Sequence, residues 1–184
     1  MSDLERKRIR LPQPYYMGFR SYFVTICARD RRRLFAIPRV VESLVPILGE
    51  QSGRFAFDVH AYYFMPDHCH LLVTGRTADA NLSAMIRGFK GCSAKSLRHF
   101  GIFDAWQKGF YEHILRSGED CSSAMAYIFE NPVRAGLTKD FYSWPHSGSF
   151  VLDWEKFRAP QKPFVPPYKC KQHGTKSDGG VDRV

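Results

Sequence analysis

Two histidines lie two positions apart in an otherwise apolar segment, YYFMPDHCHLLV at residues 62–73. Residues two apart in a β-strand project from the same face, so His68 and His70 share one face and Cys69 points to the other. Two imidazoles on one face can present their nitrogen atoms to a single metal ion. Taken alone, the pair also fits a surface position beside a turn, with Asp67 as a purely structural partner for one ring. Because no cysteine ligand accompanies the histidines, a metal bound here would keep open coordination positions, as catalysis requires.

A second candidate pair lies in AYIFENPVRAG, residues 126–136. Tyr127 and Asn131 are four residues apart, so on a helix they share one face and lie a turn apart. The tyrosine hydroxyl can then reach a point close to the asparagine amide. Taken alone, Tyr127 also fits an ordinary buried helix tyrosine. A functional role for it is favoured only because the two histidines occur elsewhere in the chain.

The chain is basic, with 27 lysines and arginines against 18 acidic residues and a formal net charge of +9 over 184 residues. This excess favours a polyanionic partner, nucleic acid before a membrane, because no basic amphipathic helix is evident. A basic surface that serves only solubility is the alternative. Candidate phosphate contacts lie in the runs RKRIR and RDRRR and on the polar side of residues 81–100. They are Arg6, Lys7, Arg8, Arg10, Arg29, Arg31, Arg32, Arg33, Arg87, Lys90 and Lys95.

Composition also excludes several classes of protein. No apolar run is long enough to span a membrane. The N-terminal residues are charged and lack the apolar core of a secretory signal, so we expect a cytoplasmic protein. The five cysteines are odd in number and form no CxxC pair, which argues against a disulfide framework or a cysteine-rich zinc module. We expect them to be small core residues.

Hydrophobic patterns outline the elements that must position these residues. They predict β-strands over 21–28, 54–65, 68–74 and 109–116, and helices over 39–50, 81–100 and 119–132. A turn at Pro66-Asp67 joins the second and third strands as a hairpin, and Asn81 is a suitable N-cap for the second helix. The last helix is predicted to stop at Asn131-Pro132.

The order β-α-β-β-α-β-α predicts an α+β fold, a ferredoxin-like split βαβ antiparallel sheet with helices on one face and an extra C-terminal helix. RNA-recognition modules share this architecture, so the fold alone does not define a function. The folded domain is predicted to cover 20–150. A basic N-terminal arm precedes it over 1–19. A basic tail rich in proline, lysine and glycine follows over 151–184 and is expected to be flexible.

Several motifs in one consistent order resemble the REP-associated tyrosine transposases. These are IS200-like, single-tyrosine members of the HUH group, which is named for two histidines around a bulky apolar residue. The motifs are MPDHCH at 65–70, WQ-x-x-F-x-E-H-x-x-R at 106–116, YI-x-x-NPV-x-x-G at 127–136 and W-P-x-S at 144–147. The departure from the pattern is Cys69 between the histidines. Its small apolar side chain should be tolerated, although it would leave a soft ligand close to the metal.

The resemblance implies the chemistry of the site. Tyr127 would be the nucleophile, so the C-terminal helix would be catalytic. His68 and His70 would bind a divalent metal, and Asn131 would be a third ligand or would orient a metal-bound phosphate. Ligation by nitrogen and oxygen without a thiolate favours Mg²⁺ or Mn²⁺, with Zn²⁺ as an alternative.

The implied function is a metal-dependent endonuclease and strand transferase, that is, a transposase. It would act on single-stranded DNA beside a hairpin through a 5′-phosphotyrosine intermediate, and in the family the hairpins are repetitive extragenic palindromes (REP). Monomeric and homodimeric states both stay open. The alternative is a non-catalytic protein that binds hairpin DNA or RNA on a ferredoxin-like sheet, which needs paired exposed aromatic residues on the central strands. A central strand carries the histidines instead, which favours the enzyme.

Overall fold

The structure of the protein is a computed structural model that describes residues 12–115, 121–139, 144 and 146–153. Within these ranges the strands are β1 (Ser21–Cys27), β2 (Phe57–Met65), β3 (His68–Gly75), β4 (Tyr111–Ile114) and β5 (Ser147–Gly148). The α-helices there are α1 (Pro38–Arg54), α2 (Leu82–Leu97) and α3 (Cys121–Arg134). Every predicted strand and helix is present, and β5 is an addition.

The strands form one antiparallel sheet in the order β4-β1-β3-β2-β5. The central strands β1 and β3 pair from Ser21 opposite Thr74 to Cys27 opposite His68. Helix α1 connects β1 to β2, and α2 connects β3 to β4, so β1 to β4 form a ferredoxin-like split βαβ arrangement. The predicted fold class is confirmed.

The alternation of the central strands divides their apolar side chains between two cores. Val24 and Leu71 belong to the core that α1 and α2 cover. Phe23 and Leu72, their immediate neighbours in the two strands, belong to the core that α3 covers. The helices of the split βαβ unit therefore share one face of the sheet, and the C-terminal helix packs on the other.

Most element boundaries lie within a few residues of the predicted ones. α1 continues through Pro46 to Arg54, so β2 begins at Phe57 rather than at residue 54. Asn81 is the N-cap of α2, because its Oδ1 accepts the backbone N–H of Ala84 at 3.0 Å. No helix in the described ranges is both long and apolar enough to cross a membrane.

The end of α3 differs from the prediction. The helix continues through Asn131-Pro132 to Arg134, so the predicted stop is wrong. A proline removes one helical hydrogen bond and crowds the preceding turn, but neighbouring packing can hold the helix together. α3 ends instead in a Schellman motif: Gly136 has a φ of 68° and donates to the Val133 carbonyl at 3.0 Å, and Leu137 donates to the Pro132 carbonyl at 2.8 Å.

Two contacts attach the segment after α3 to β2. The Trp144 ring stacks on that of Tyr63 at a centroid distance of 5.9 Å, and its Nε1 donates to the Phe64 carbonyl at 3.0 Å. The short strand β5 then pairs with Tyr62 and Tyr63. Trp144 of the W-P-x-S motif thus packs against the core beneath α3.

The segment before β4 is fixed to α2 by Trp106. Its Nε1 donates to Ser93 Oγ at 2.9 Å. Its ring lies 5.3 Å from that of Phe35 and 5.5 Å from that of Phe89. These contacts determine where β4 begins.

Part of the predicted N-terminal arm packs on the domain. Gln13–Tyr16 form one 3₁₀ turn, and Tyr16 is buried and donates to the Glu112 carboxylate. Met17 forms an isolated bridge with Asn81. The rest of the predicted arm, 1–11, and positions 154–184 of the predicted tail lie outside the described residues.

Gly75 lies where two segments of backbone approach closely. A Cβ atom at this position would lie 2.1 Å from the Gly18 carbonyl oxygen and 3.0 Å from the Ala80 Cβ. The obstructing atom belongs to the backbone and cannot rotate away. We therefore expect Gly75→Ala to lower the free energy of unfolding by roughly 1–3 kcal/mol, the usual cost of overpacking. Urea denaturation followed by circular dichroism measures this change.

Gly91→Ala on α2 is the matched control. A Cβ atom there would meet no atom within 4 Å, and the residue is exposed. Alanine is favoured over glycine in a helix by about 1 kcal/mol, so this variant should be as stable as the original protein or more stable. Equal stability of both variants would contradict the close contact at Gly75.

Candidate active site

The histidines belong to a row of side chains that crosses the sheet. Thr25 on β1 is paired with Tyr111 on one side and with His70 on the other. His70 is in turn paired with Tyr63 on β2. His68 lies two residues before His70 and shares its face, as the sequence predicted. This is the face that α3 covers.

The two imidazole rings converge on one point. His68 Nε2 and His70 Nε2 are 3.1 Å apart. Each ring is held through its other nitrogen: His68 Nδ1 lies 2.6 Å from Asp67 Oδ1, and His70 Nδ1 lies 2.9 Å from Thr25 Oγ1. If each Nδ1 carries its proton and donates it to these oxygens, both Nε2 lone pairs face each other. Only a shared cation, either a proton or a metal ion, makes that arrangement favourable.

The spacing of the rings suits a metal ion. Two nitrogen ligands at about 2.1 Å from one ion and at right angles would lie about 3.0 Å apart, close to the separation of the two Nε2 atoms. Metal-binding histidines commonly donate their second nitrogen to a carboxylate or another oxygen, as Asp67 and Thr25 would accept here. Within the described residues, His, Cys, Asp and Glu form no cluster of three suited to a metal. A third protein ligand drawn from the described residues would therefore be of another type.

Asp67 connects the histidine pair to a cation. Its Oδ1 contacts His68, and its Oδ2 lies 3.4 Å from Arg31 Nε. The carboxylate thus lies between the imidazole and the guanidinium, which limits the rotation of both. The structural role that the sequence allowed for Asp67 is present in the molecule, and it is compatible with metal binding by His68.

Tyr127 reaches the same face from α3. The residue is 4% exposed and belongs to the core beneath that helix. The Phe23 ring contacts both partners, at 5.8 Å from the Tyr127 ring and 5.3 Å from the His70 ring, measured between centroids. Tyr127 and the histidines, which are far apart in sequence, are therefore neighbours around one phenylalanine.

Asn131 lies one turn beyond Tyr127, on the same side of α3. It is 8% exposed, and its Nδ2 has no hydrogen-bond partner among the described residues. The two ends of an asparagine amide are distinguished only by their hydrogen bonds, so the carbonyl oxygen can occupy either position. A buried amide that lines the pocket and has an unused polar atom fits a ligand for an ion or a phosphate.

Arg134 fixes the nucleophile candidate from the last turn of α3. Its guanidinium carbon lies 4.0 Å from the centroid of the Tyr127 ring, and Nη2 donates to the Tyr127 carbonyl at 2.7 Å. Nη1 lies 3.4 Å from the Glu130 carboxylate. Cation–π contact on one side and Phe23 on another restrict the tyrosine ring.

These residues surround one open pocket of about 810 Å³. Two arginines and two histidines line it, and none of its described lining residues is an aspartate or a glutamate. The lining consists of Thr25, Cys27, Arg31, Met65, His68, His70, Gln107, Tyr111, Tyr127, Asn131, Arg134 and Ala135. A pocket with this charge favours an anionic group such as a phosphodiester.

The thiol near the histidines is not the one that the sequence suggested. Cys69 is fully buried among α1 and α2, and burial raises the pKa of its thiol. The expectation that Cys69 leaves a soft ligand close to the metal is therefore wrong, because the strand turns it away. Cys27, opposite His68, lines the pocket instead, and burial raises the pKa of its thiol despite the nearby Arg31.

The structure brings one arginine of the RDRRR run to the pocket. Arg31 lines it, whereas Arg29 lies 4.0 Å from the Asp104 carboxylate. Arg32 donates to two backbone carbonyls in the segment before β4, at 2.9 and 2.6 Å. Arg33 is exposed in the same loop. Direct contact of these arginines with DNA stays a prediction.

The cations of α2 lie beyond the opposite face of the sheet. Arg87 and Lys95 are exposed there. Lys90 is partly buried and donates to the backbone carbonyls of Gln107 and Gly109, so it holds the loop before β4. The predicted N-terminal contacts Arg6, Lys7, Arg8 and Arg10 lie outside the described residues.

Several lining residues were missed by sequence reasoning. Arg134 follows Tyr127 by seven residues, two helical turns, and this spacing could have indicated it had the helix not been ended at Asn131-Pro132. Gln107 and Tyr111 come from a loop and an edge strand whose path depends on tertiary contacts. Thr25 gave no separate signal, because its place beside His70 is known only from the strand register.

Comparison with known proteins places these features in a family. The family model for IS200-like transposases matches residues 20–131, more than half of the chain. A REP-associated tyrosine transposase of Escherichia coli (strain K12) is 28% identical over 149 residues, which cover 76% of this chain and 87% of the relative. A solved structure of a REP-associated tyrosine transposase bound to a REP hairpin is 23% identical and has a TM-score of 0.65. That similarity covers 85% of this chain and all of the solved one, and it shows a shared fold.

The matched region includes β1 to β4, the histidine pair, and α3 as far as Asn131. The chain belongs to the IS200-like family of transposases.

Proposed function

We propose that this transposase cuts one strand of DNA with Tyr127 as the nucleophile and can join the cut end to another strand. One observation carries the proposal: a single positively charged pocket holds Tyr127 from α3 together with His68 and His70 from β3. A tyrosine buried only for packing would not need to share a pocket with two converging imidazoles.

The cleavage step exchanges one phosphodiester for another. The Tyr127 oxygen forms a bond to phosphorus while the bond between phosphorus and the 3′ oxygen breaks. The phenol loses its proton and the departing 3′ oxygen gains one, so the step needs no oxidant, reductant or water. The products are a 5′-phosphotyrosine and a free 3′-hydroxyl. A second 3′-hydroxyl can attack the same phosphorus and release Tyr127, which gives strand transfer rather than hydrolysis.

Residues around Tyr127 prepare this attack. Arg134 and Phe23 restrict the ring, which reduces the orientational freedom that must be lost before reaction. The guanidinium groups of Arg31 and Arg134 both line the pocket and can offset charge on the phosphate oxygens. Tyr127 is also buried where it lines the pocket, which limits the access of competing water to it.

We further propose that His68, His70 and Asn131 hold a divalent ion, Mg²⁺ or Mn²⁺. An ion bound there would polarise the scissile phosphate. Support comes from the 3.1 Å separation of the Nε2 atoms and from the oxygens that hold each Nδ1. The buried Asn131 amide adds an uncharged ligand of the hard type that these ions prefer.

The proposed substrate is single-stranded DNA next to a hairpin. A structurally similar transposase binds a REP hairpin, and this chain shares its fold. The pocket here is open rather than enclosed on all sides, which suits an unpaired strand crossing it. Hairpin recognition would be made by residues outside the pocket, among them the predicted basic contacts.

The RNA-recognition alternative is weakened by α3. Such modules stack bases on exposed aromatic residues of the central strands. Here the aromatic residues on the relevant face, Phe23 and Tyr63, are fully buried beneath α3 and Trp144. Among the described residues, the central strands therefore offer no exposed aromatic pair on this face for stacking.

Tyr127→Phe should abolish the covalent adduct between protein and DNA, because it removes the attacking oxygen and keeps the ring. The measurement is denaturing electrophoresis after incubation of labelled hairpin-bearing single strands with Mn²⁺ or Mg²⁺. Tyr15→Phe is the matched control, since Tyr15 is an exposed tyrosine outside the pocket, and it should form the adduct normally. An adduct with the Tyr127 variant, or a free 5′-phosphate product without any adduct from the original protein, would refute the mechanism.

His68→Ala and Asp67→Ala should weaken adduct formation in different ways. Loss of the ligand in His68→Ala should reduce the rate sharply even at high Mn²⁺. Asp67→Ala leaves both imidazoles and removes the carboxylate that holds His68 and Arg31. The Mn²⁺ concentration for half-maximal rate should therefore rise about 10- to 100-fold. Titration of Mn²⁺ in the adduct assay measures both effects.

Asp79→Ala is the control for Asp67→Ala, because its carboxylate is exposed and outside the pocket. Its Mn²⁺ dependence should match that of the original protein. An unchanged Mn²⁺ dependence in Asp67→Ala would show that the carboxylate does not position His68 for metal binding.

A further inference from the structure

Tyr111 lies at the edge of the pocket as the first residue of β4. It lines the pocket together with the histidines and Tyr127, yet it is 55% exposed. It is paired with Thr25, which is paired with His70, so the three residues lie in one row across the sheet. With about 4.8 Å between neighbouring strands, the backbone of Tyr111 lies about 10 Å from that of His70. A large ring is thus held beside the reaction centre without being covered by protein.

The polar surroundings of this ring suit a nucleotide. Arg31 and Arg134 line the same pocket and can meet phosphate groups. The Tyr111 side chain makes no hydrogen bond within the described residues, and no other ring there stacks on it. Its face is therefore available to a base carried by a strand whose phosphate approaches the histidines.

The position of the ring is well supported. The segment before β4 is fixed by Trp106, which bonds Ser93, and by Lys90, which holds the carbonyls of Gln107 and Gly109. The backbone that carries Tyr111 therefore needs little further ordering when the ring binds. Among the described residues, the other exposed aromatic side chains, such as Phe103, do not line the pocket.

We propose that Tyr111 forms a nucleobase subsite, in which its ring stacks on a base flanking the scissile phosphate. The proposal rests on the proposed function, because it takes the phosphate to lie at the histidine pair. Stacking on an aromatic ring tolerates every base, since each has a π face. Tyr111 would then hold the strand in register for attack without selecting its sequence.

An abasic scan tests this subsite. The probe is a fluorescently labelled oligonucleotide with a hairpin and a single-stranded flank. A series of variants of this oligonucleotide lacks the base of one flanking nucleotide at a time. Binding is measured by anisotropy at equilibrium, with every protein carrying Tyr127→Phe so that the DNA stays uncut. With Tyr111 intact, we expect one abasic position to weaken binding about tenfold, whereas exchange of one base for another there has a small effect.

Tyr111→Ala should bind the intact probe about tenfold more weakly and should lose no further affinity at that abasic position. Tyr111→Phe keeps the ring and should behave as the parent protein. Phe103→Ala, which removes a 65% exposed ring outside the pocket, should leave binding and its abasic profile unchanged. A general loss of protein stability would not produce this coupling between one side chain and one base.

An abasic profile that is the same with and without the Tyr111 ring would overturn the subsite, as would full affinity of Tyr111→Ala for the intact probe. The readout is binding, so it is independent of strand cleavage. Coupling in this Tyr127→Phe background, together with no covalent adduct from the protein that retains Tyr127, would refute the tyrosine mechanism and retain the subsite.

Discussion

The antiparallel pairing of β1 with β3 is the constraint on which the site depends. Its register sets Thr25 beside His70, and the threonine hydroxyl holds one imidazole nitrogen at 2.9 Å. A shift by one residue would turn both histidines towards α1 and α2 and would turn Cys69 towards the pocket. That shift is opposed by every apolar side chain that the same strands bury, Val24 and Leu71 among them. The hydrophobic core therefore fixes the direction of the imidazoles more firmly than their own hydrogen bonds do.

Helix α3 turns this face of the sheet into a pocket. Phe23 and Leu72 leave an apolar surface beside the histidines, and Ile128 and Phe129 cover it from the helix. The two helical residues beyond Asn131-Pro132 have a chemical consequence, because they place Arg134 over the Tyr127 ring. A helix that ended at the proline would hold the tyrosine by packing alone. The Schellman motif after Arg134 is thus part of the arrangement that holds Tyr127, the proposed nucleophile.

Local patterns predicted the features that depend on local physics. Strand periodicity was sufficient to place His68 and His70 on one face, and the N-cap preference identified Asn81. The prediction that α3 ends at Asn131-Pro132 was wrong because tertiary packing of the helix offsets the cost of the proline. The sequence pattern does not reveal that packing. The soft-ligand expectation for Cys69 failed for a different reason, since it counted nearness along the chain rather than the face of the strand. Residues such as Thr25 and Tyr111 reach the site only through strand pairing, which connects positions about 45 to 85 apart.

The basic residues also differ in role according to where the fold places them, which the net charge of the chain does not reveal. Arg32 and Lys90 contribute to the basic character that indicates nucleic acid, yet both donate to backbone carbonyls of the segment around 103–109. A carbonyl group satisfied by a cation is a strong, oriented contact, so these side chains fix the loop that leads to Tyr111. Arg31, next to Arg32 in sequence, instead faces the pocket and is aligned by Asp67. Adjacent cations in one run thus act in two ways, one by holding the loop that shapes the pocket and the other by giving that pocket its charge.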